Sequence, residues 1–449
     1  MQIAYLAEDT QNLEQPVVYG YAVMWKIIHV KTQKTQYRIF PCAKKKTPAK
    51  VKQQLCFLNW RRIQIITGII AEFNPLHSGH YSLITQAKAD SEACVVVLSS
   101  NFTQRGSPSF TDKFTRTHTA LLAGADLVLE LPFLFACSAG QDFARGAVNL
   151  LTLFADRIAF GMETPDFDAD SLILAEKTPE FSQALRSELR RGASYAKAHA
   201  LALEALIPGA GAFISQPNNM LAVSYMREIM RNDWPSAVLA HGLGVLKVKR
   251  EGSFSSRLIR EDLAGNSWMM PEFSRKVLAE SELSDESRLW PLIQSALLRS
   301  KPEDLRRVWG IDEGIEGLFL RHWRDSLSLD DFIGRCVCAR YTRSHIRRRL
   351  VYILLGLDRW EVLGALRGGV PYARVLGFTQ KGRKILKGHS GIRVITRLAD
   401  AQGKIGKYFA DAEYRASQLY QLTKNHPDFQ RETEKPVIIH GDYSQRRDS

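Results

Sequence analysis

An apolar stretch from Ile65 to Ile70 runs into Ala71-Glu-Phe-Asn-Pro-Leu-His-Ser-Gly-His80, and helical periodicity follows from about His80 to Ala89. Nothing else in the chain constrains the fold as tightly. A run of apolar residues without alternation forms a strand buried on both faces, and such strands belong to parallel sheets covered by helices. The turn from strand to helix is where a mononucleotide-binding fold places its ligand. A helix N-terminus there offers unpaired backbone N–H groups and the positive end of its dipole to phosphate. Gly79 removes a side chain that would obstruct close approach. His77 and His80, at HxGH spacing, can set two imidazole donors on phosphate oxygens whose charge grows in a transition state.

The alternation continues. Cys94 to Leu98, Leu127 to Leu131 and Arg157 to Phe160 read as short buried strands, and a helix opens at Asp112, a good N-cap, with another from Ser138 to Phe154. The spacing predicts an α/β fold: a mononucleotide-binding (Rossmann-like) parallel sheet domain with a second, mainly helical basic domain. Mostly helical sequence runs from Asp168 to Met230, strand-like pieces return at Ala237 to His241 and Val245 to Val248, and Ser255-Ser256 opens a short helix. Three segments follow: an N-terminal extension, 1–62, poorly structured or mis-started; a catalytic domain, 63–265; and a mainly helical domain, 266–449, whose clearest helix is Arg335 to Leu357.

The 61 Lys and Arg exceed the 47 Asp and Glu, giving a net charge of +14, which favours polyanionic partners, nucleic acid first. Arg343, Arg347, Arg348 and Arg349, then Lys381, Arg383 and Lys384, are the candidate RNA contacts, with Tyr341, Tyr372 and Phe378 placed to stack on bases. Lys113 and Arg116, on one side of the Asp112 helix, are candidates to offset charge at the phosphates. Six scattered cysteines offer neither a disulfide framework nor zinc-ligand spacing, and Cys336 and Cys338 are expected to pack inside an apolar helix; no metal site is predicted. Without a secretory signal pattern or an apolar run of ~20 residues, a cytoplasmic protein away from membranes is expected.

The segment resembles the HxGH signature of the nucleotidyltransferase superfamily. A closer likeness joins it to Ser100-Asn-Phe-Thr-Gln-Arg-Gly-Ser-Pro, Asp112-Lys-Phe-Thr-Arg116, Asp126-Leu-Val-Leu-Glu-Leu-Pro132, Phe160-Gly-Met-Glu163 and Gln216-Pro-Asn-Asn219. Together, in this order, these stretches are similar to the tRNA(Met) cytidine acetate ligase family. The likeness is dense from Ile63 to Leu263 and thinner through Val375 to Gly382. It implies a reaction in two steps: acetate attacks ATP to give acetyl-adenylate and pyrophosphate, and the acetyl group passes to the exocyclic amine of the wobble cytidine of elongator tRNA(Met). His77, His80, Lys113 and Arg116 would be catalytic. ATP, with Mg²⁺, would lie along Ile70, Ala71, Glu72, Phe73, Asn74, Pro75, Leu76, His77, Ser78, Gly79, His80, Tyr81, Ser82 and Leu83, with Gly161, Asn218, Asn219 and Arg260.

Phe254-Ser-Ser-Arg-Leu-Ile-Arg260 resembles the second superfamily motif, with Arg257 where threonine is usual; Met162 likewise replaces a small residue. Two alternatives stay open at this point: an adenylyltransferase acting on a small phosphorylated metabolite, and a catalytically silent RNA-binding relative.

Overall fold

A computed structural model describes residues 25–27, 39–41, 65–231, 243–250, 254–389 and 391–441. The chain divides into two compact units, Met1–Ile63 and Gln64–Ser449. The first holds a short antiparallel ribbon, Trp25–Ile27 against Ile39–Pro41. The basic run at 44–46 and the strand expected at 237–241 lie outside the described residues.

The second unit is built on an eight-stranded sheet. Its strands are β1 (Ile66–Ala71), β2 (Ala93–Ser99), β3 (Leu127–Leu131), β4 (Arg157–Met162), β5 (Gly244–Lys249), β6 (Ala373–Phe378), β7 (Val394–Ile395) and β8 (Ile438–Ile439). They lie in the order β8-β6-β3-β2-β1-β4-β5, with β7 beside β6. From β3 to β5 every pairing is parallel. All seven residues of β2 are buried, as a central strand covered on both faces requires. The order reverses between β1 and its two neighbours, β2 and β4. In an open α/β sheet, that crevice at the strands' carboxyl ends is where ligands bind.

The helices that matter below are α1 (Ser78–Lys88), α2 (Lys113–Leu122), α3 (Gly140–Leu151), α4 (Pro217–Ile229), α5 (Ser256–Glu261), α6 (Arg343–Leu355), α7 (Gln380–Gly388) and α8 (Gly403–Gln421). Asp112 caps α2, its side chain accepting the Thr115 N–H. The single helix expected over 335–357 is two. Leu329–Cys336 ends at Cys336, and α6 starts afresh where the Thr342 side chain accepts the His345 N–H. Cys336 is buried as expected, but Cys338 sits in the break and is exposed.

Beyond residue 265 the chain is rich in helices and also supplies three strands. β6 joins the sheet antiparallel to β3, across a register shift at Val128/Leu129. Periodicity did not separate this short buried run from a helical segment. α8 packs on the short helix Phe133–Ala136 that follows β3, with Phe135 and Phe409 stacked at 5.7 Å.

Candidate active site

His77 is the N-cap of α1. Its Nδ1 accepts the backbone N–H of His80, and His80 Nδ1 accepts the backbone N–H of His77, each at 3.3 Å. This is a capping box made from two histidines instead of Ser and Glu. The rings stack at 3.7 Å. Burial, then the Arg250 charge, pushes the His77 imidazole down to about 4. Burial, then His77 and Arg250, holds His80 well below its ordinary value. Both rings are therefore neutral near pH 7, and with Nδ1 occupied as an acceptor each carries its proton on Nε2. Two N–H donors thus sit at a helix N-terminus at the switch point of the sheet. Gly79 serves this arrangement directly: a Cβ there would meet the His77 ring at 3.1 Å.

The turn that carries them is held from several sides. Phe73 adopts φ 46°, a left-handed conformation that side chains other than Gly, Asn and Asp seldom take and that recurs at functional sites. Glu72 Oε1 accepts the Gln104 N–H at 2.7 Å, and Asn74 Oδ1 accepts the Phe110 N–H at 2.6 Å, fastening the loop after β2. From α5, Ser256 donates to the Pro75 carbonyl at 2.9 Å and Arg260 donates to the Asn74 carbonyl. Ser78 donates to the Met269 carbonyl and Ser274 to the Leu76 carbonyl, both at 2.8 Å. The two motifs read separately in the sequence are one hydrogen-bonded unit.

Of the residues expected to line ATP, Ile70 and Ala71 end β1, and Leu83 packs into the small core beneath α1. Ser82 accepts from Gln86, and Tyr81 is exposed beside Phe273. At Gly161 the close neighbour is Arg250, whose Cγ lies 3.2 Å from where a Cβ would stand. Asn218 and Asn219, at the start of α4, clasp the β4 end: Glu163 accepts from Asn218 Nδ2 and the Asn219 N–H, while Asn219 Oδ1 accepts the N–H groups of Glu163 and Thr164. Both asparagines are therefore engaged in fixing Glu163.

Lys113 and Arg116 lie elsewhere than expected. Lys113 is fully buried, with Nζ 2.5 Å from Glu130, 2.8 Å from Glu413 and 2.9 Å from Glu432. Arg116 is buried too, donating to the carbonyls of Glu72 at 2.7 Å, Ser100 at 2.6 Å and Thr111 at 3.1 Å. Arg116 thus braces the turn from behind, and neither cation is free to meet a phosphate. A residue missed in the sequence takes the open position. Arg250, at the carboxyl end of β5, reaches over Gly161, donates to the Phe254 carbonyl at 3.0 Å and bears on both histidines. Its signal was available: a cation just past a strand of a parallel sheet. Arg105, exposed in the loop after β2, acts electrostatically on Arg260 and completes the set.

The two departures from the motifs point away from the imidazoles. Arg257 pairs with Glu261 at 2.7 Å on the exposed side of α5, and Met162 is fully buried in the large core.

The arginines of α6 are spent within the chain. Arg343 pairs with Asp330, Arg347 with Glu286 at 2.8 Å, Arg348 donates to the Gln104 carbonyl at 2.9 Å, and Arg349 to the Gly310 carbonyl at 3.0 Å. Their helix docks on the loop after β2, where a Cβ on Gly106 would stand 2.5 Å from the Arg348 nitrogen. Tyr341 and Tyr372 are buried. Lys381, Arg383 and Lys384 are exposed on α7. Lys381 donates to the carbonyl of Glu92, which precedes β2, so α7 lies at the amino ends of the parallel strands, the opposite end from His77. Among the described residues no group of three or more His, Cys, Asp or Glu could hold a metal ion, and no helix is long and apolar enough to cross a membrane.

The sequence matches the HIGH Nucleotidyl Transferase family over residues 65–435. The tRNA(Met) cytidine acetate ligase of Clostridium perfringens is 32% identical over 366 residues, 75% of this chain and 90% of that protein. The enzyme of the same name from Caldanaerobacter subterraneus subsp. tengcongensis is 34% identical over 364 residues, again 75% and 90%. Among solved structures, Thermotoga maritima TmcAL bound with alpha-thio ATP superposes with a TM-score of 0.74 at 25% identity, covering 84% of this chain and 99% of that one.

Proposed function

Because the chain belongs to the HIGH nucleotidyl transferase family, and within it to the tRNA(Met) cytidine acetate ligases, we propose that it is an ATP-dependent ligase that acetylates a tRNA cytidine. One observation carries the chemistry: two neutral imidazoles, each with Nδ1 engaged and Nε2–H available, at a helix N-terminus in the switch-point crevice.

In this reading acetate attacks the α-phosphorus of ATP, the bond to the bridging oxygen breaks, and pyrophosphate leaves with the electron pair. His77 and His80 donate to the phosphate oxygens on which charge accumulates, without passing through a charged imidazolium. Arg260, Arg250 and Arg105 offset the repulsion between acetate and the polyphosphate. Mg²⁺ would supply charge neutralisation as the counterion of the triphosphate, held by the nucleotide itself. The exocyclic amine of the wobble cytidine of elongator tRNA(Met) then attacks the acetyl carbon; AMP leaves, and the amine loses a proton. Of the cations expected to meet RNA, Lys381, Arg383 and Lys384 are exposed and available to the tRNA backbone.

Purified protein with labelled acetate, ATP and bulk tRNA tests the reading. Label should enter RNA only with ATP. No ATP-dependent label sinks it, and pyrophosphate release that needs a phosphorylated metabolite in place of acetate favours a small-molecule adenylyltransferase.

A further inference from the structure

A line of rings leads outward from the two histidines. The Phe254 ring lies 6.3 Å from His77 with an interplanar angle of 24°, and the Trp268 ring lies 6.2 Å from Phe254, tilted by 56° to it. Trp268 is 59% exposed, although the next two residues, Met269 and Met270, are buried under α5 with Ile259. A single exposed apolar side chain is ordinary, and Trp360, 75% exposed, is of that kind. Trp268 differs because its turn is bolted to the catalytic motif: the Met269 carbonyl accepts from Ser78, and Asn266 Nδ2 donates to the Leu258 carbonyl at 2.9 Å. Phe254 is held likewise, its carbonyl accepting from Arg250 and its Cβ 3.7 Å from where a Gly79 Cβ would stand.

We infer that Phe254 and Trp268 form an angled platform for the acceptor nucleobase, Trp268 supplying the exposed stacking face and Phe254 the side in reach of His77. The inference rests on the reading above that an RNA cytidine is the acyl acceptor. The second step must hold an unpaired, uncharged, flat base with its amine turned toward the acyl carbon beside the imidazoles. Aromatic faces hold such bases, and flanking arginines hold the phosphates on either side. Arg250, which donates to the Phe254 carbonyl, supplies a cation at that flank. The buried Tyr341 and Tyr372 cannot serve the purpose.

The test compares Trp268→Ala, Trp268→Phe and Trp360→Ala in two assays, acetate-dependent ATP–pyrophosphate exchange and acetyl transfer to tRNA. Trp268→Ala should lower kcat/KM for tRNA about tenfold or more beyond any loss in exchange, the scale of one base–aromatic stack, and Trp268→Phe should recover most of it. Trp360→Ala should alter neither assay. A parallel fall in exchange and transfer assigns the rings to ATP and overturns the proposal, as does an unchanged Trp268→Ala. Tryptophan fluorescence with a short stem-loop RNA carrying an unpaired cytidine separates the two hypotheses. RNA-dependent quenching lost in Trp268→Phe supports the platform even if the wild-type protein labels no tRNA, a result that would overturn the ligase reading alone. Quenching identical in wild type and Trp268→Phe removes the platform.

Discussion

Two charged clusters hang from the same sheet with opposite relations to water. Around His77 and His80 the cations Arg105, Arg250 and Arg260 gather at the carboxyl ends of the strands, where Arg250 has only a loose partner, Glu163 at 3.6 Å, and remains about one-third exposed. Around Lys113 and Arg374 the carboxylates close in: Glu130 and Glu432 pair with both cations and Glu413 with Lys113, and all five side chains are buried. The first cluster holds charge in reserve for a ligand. The second has used its charge to join α8 and the segment around Glu432 to β3 and α2. A basic residue beside a nucleotide crevice therefore says little until its partners are known.

The largest effect that could break this contrast is on stability. Lys113→Ala leaves Glu413 without a cation and Glu130 and Glu432 to share Arg374, and should cost about 3–5 kcal/mol, read by denaturant unfolding. If the variant keeps wild-type stability and loses only adenylate formation, the closed cluster belongs to the site after all. His80→Ala should show the reverse. Acetate-dependent exchange should fall about 10²–10³-fold, as on removing a preorganised donor, with tRNA binding largely kept. Equal loss of exchange and of tRNA binding would make His80 structural.

The closed cluster also predicts a pH dependence. Two cations face three carboxylates, so the cluster retains one proton. Burial, then repulsion from Glu130, raises Glu413 to about 8, while Lys113 and Arg374 outweigh burial at Glu130 and keep it low. At Glu413 the folded state then binds more protons than the unfolded chain up to about pH 8, while His77 and His80, buried and neutral, oppose this below their ordinary 6.5, which leaves the window from about 6.5 to 8 to Glu413. Stability should decline across that window, by up to about 1.4 kcal/mol per pH unit for one proton, and level off above it. Glu413→Gln should flatten the decline; an unaltered profile would place the proton elsewhere. The smallest effect concerns the exposed cations of α7. Reversing the charge of Lys381, Arg383 and Lys384 should make the salt dependence of tRNA binding shallower by up to about three in log–log slope, and an unchanged slope removes α7 from the interface.

What the sequence disclosed and what it withheld divide along the same line. The β1–α1 turn and the Asp112 cap were legible because strand, cap and helix are written in neighbouring residues. The occupation of Lys113 was not, since Glu413 lies 300 residues away. Nor was the inward turn of the α6 arginines, because a run of arginines on an isolated helix looks the same whether solvent or the loop at Gly106 faces it. β6 was missed for a related reason: five successive buried residues without alternation fit strand and helix equally, and only their pairing with β3 decides.

That pairing bears on how the protein is made. β3 lies in the first third of the chain, but the strands that cover its outer edge, β6 and then β8, come from the last fifth. On the ribosome, the nucleotide-binding half must wait with an open sheet edge while more than two hundred residues are synthesised. During that interval the exposed edge can pair with strands from other nascent chains. Premature termination after α6 would therefore release the catalytic motif on an unsealed sheet, and only late in translation is that edge covered.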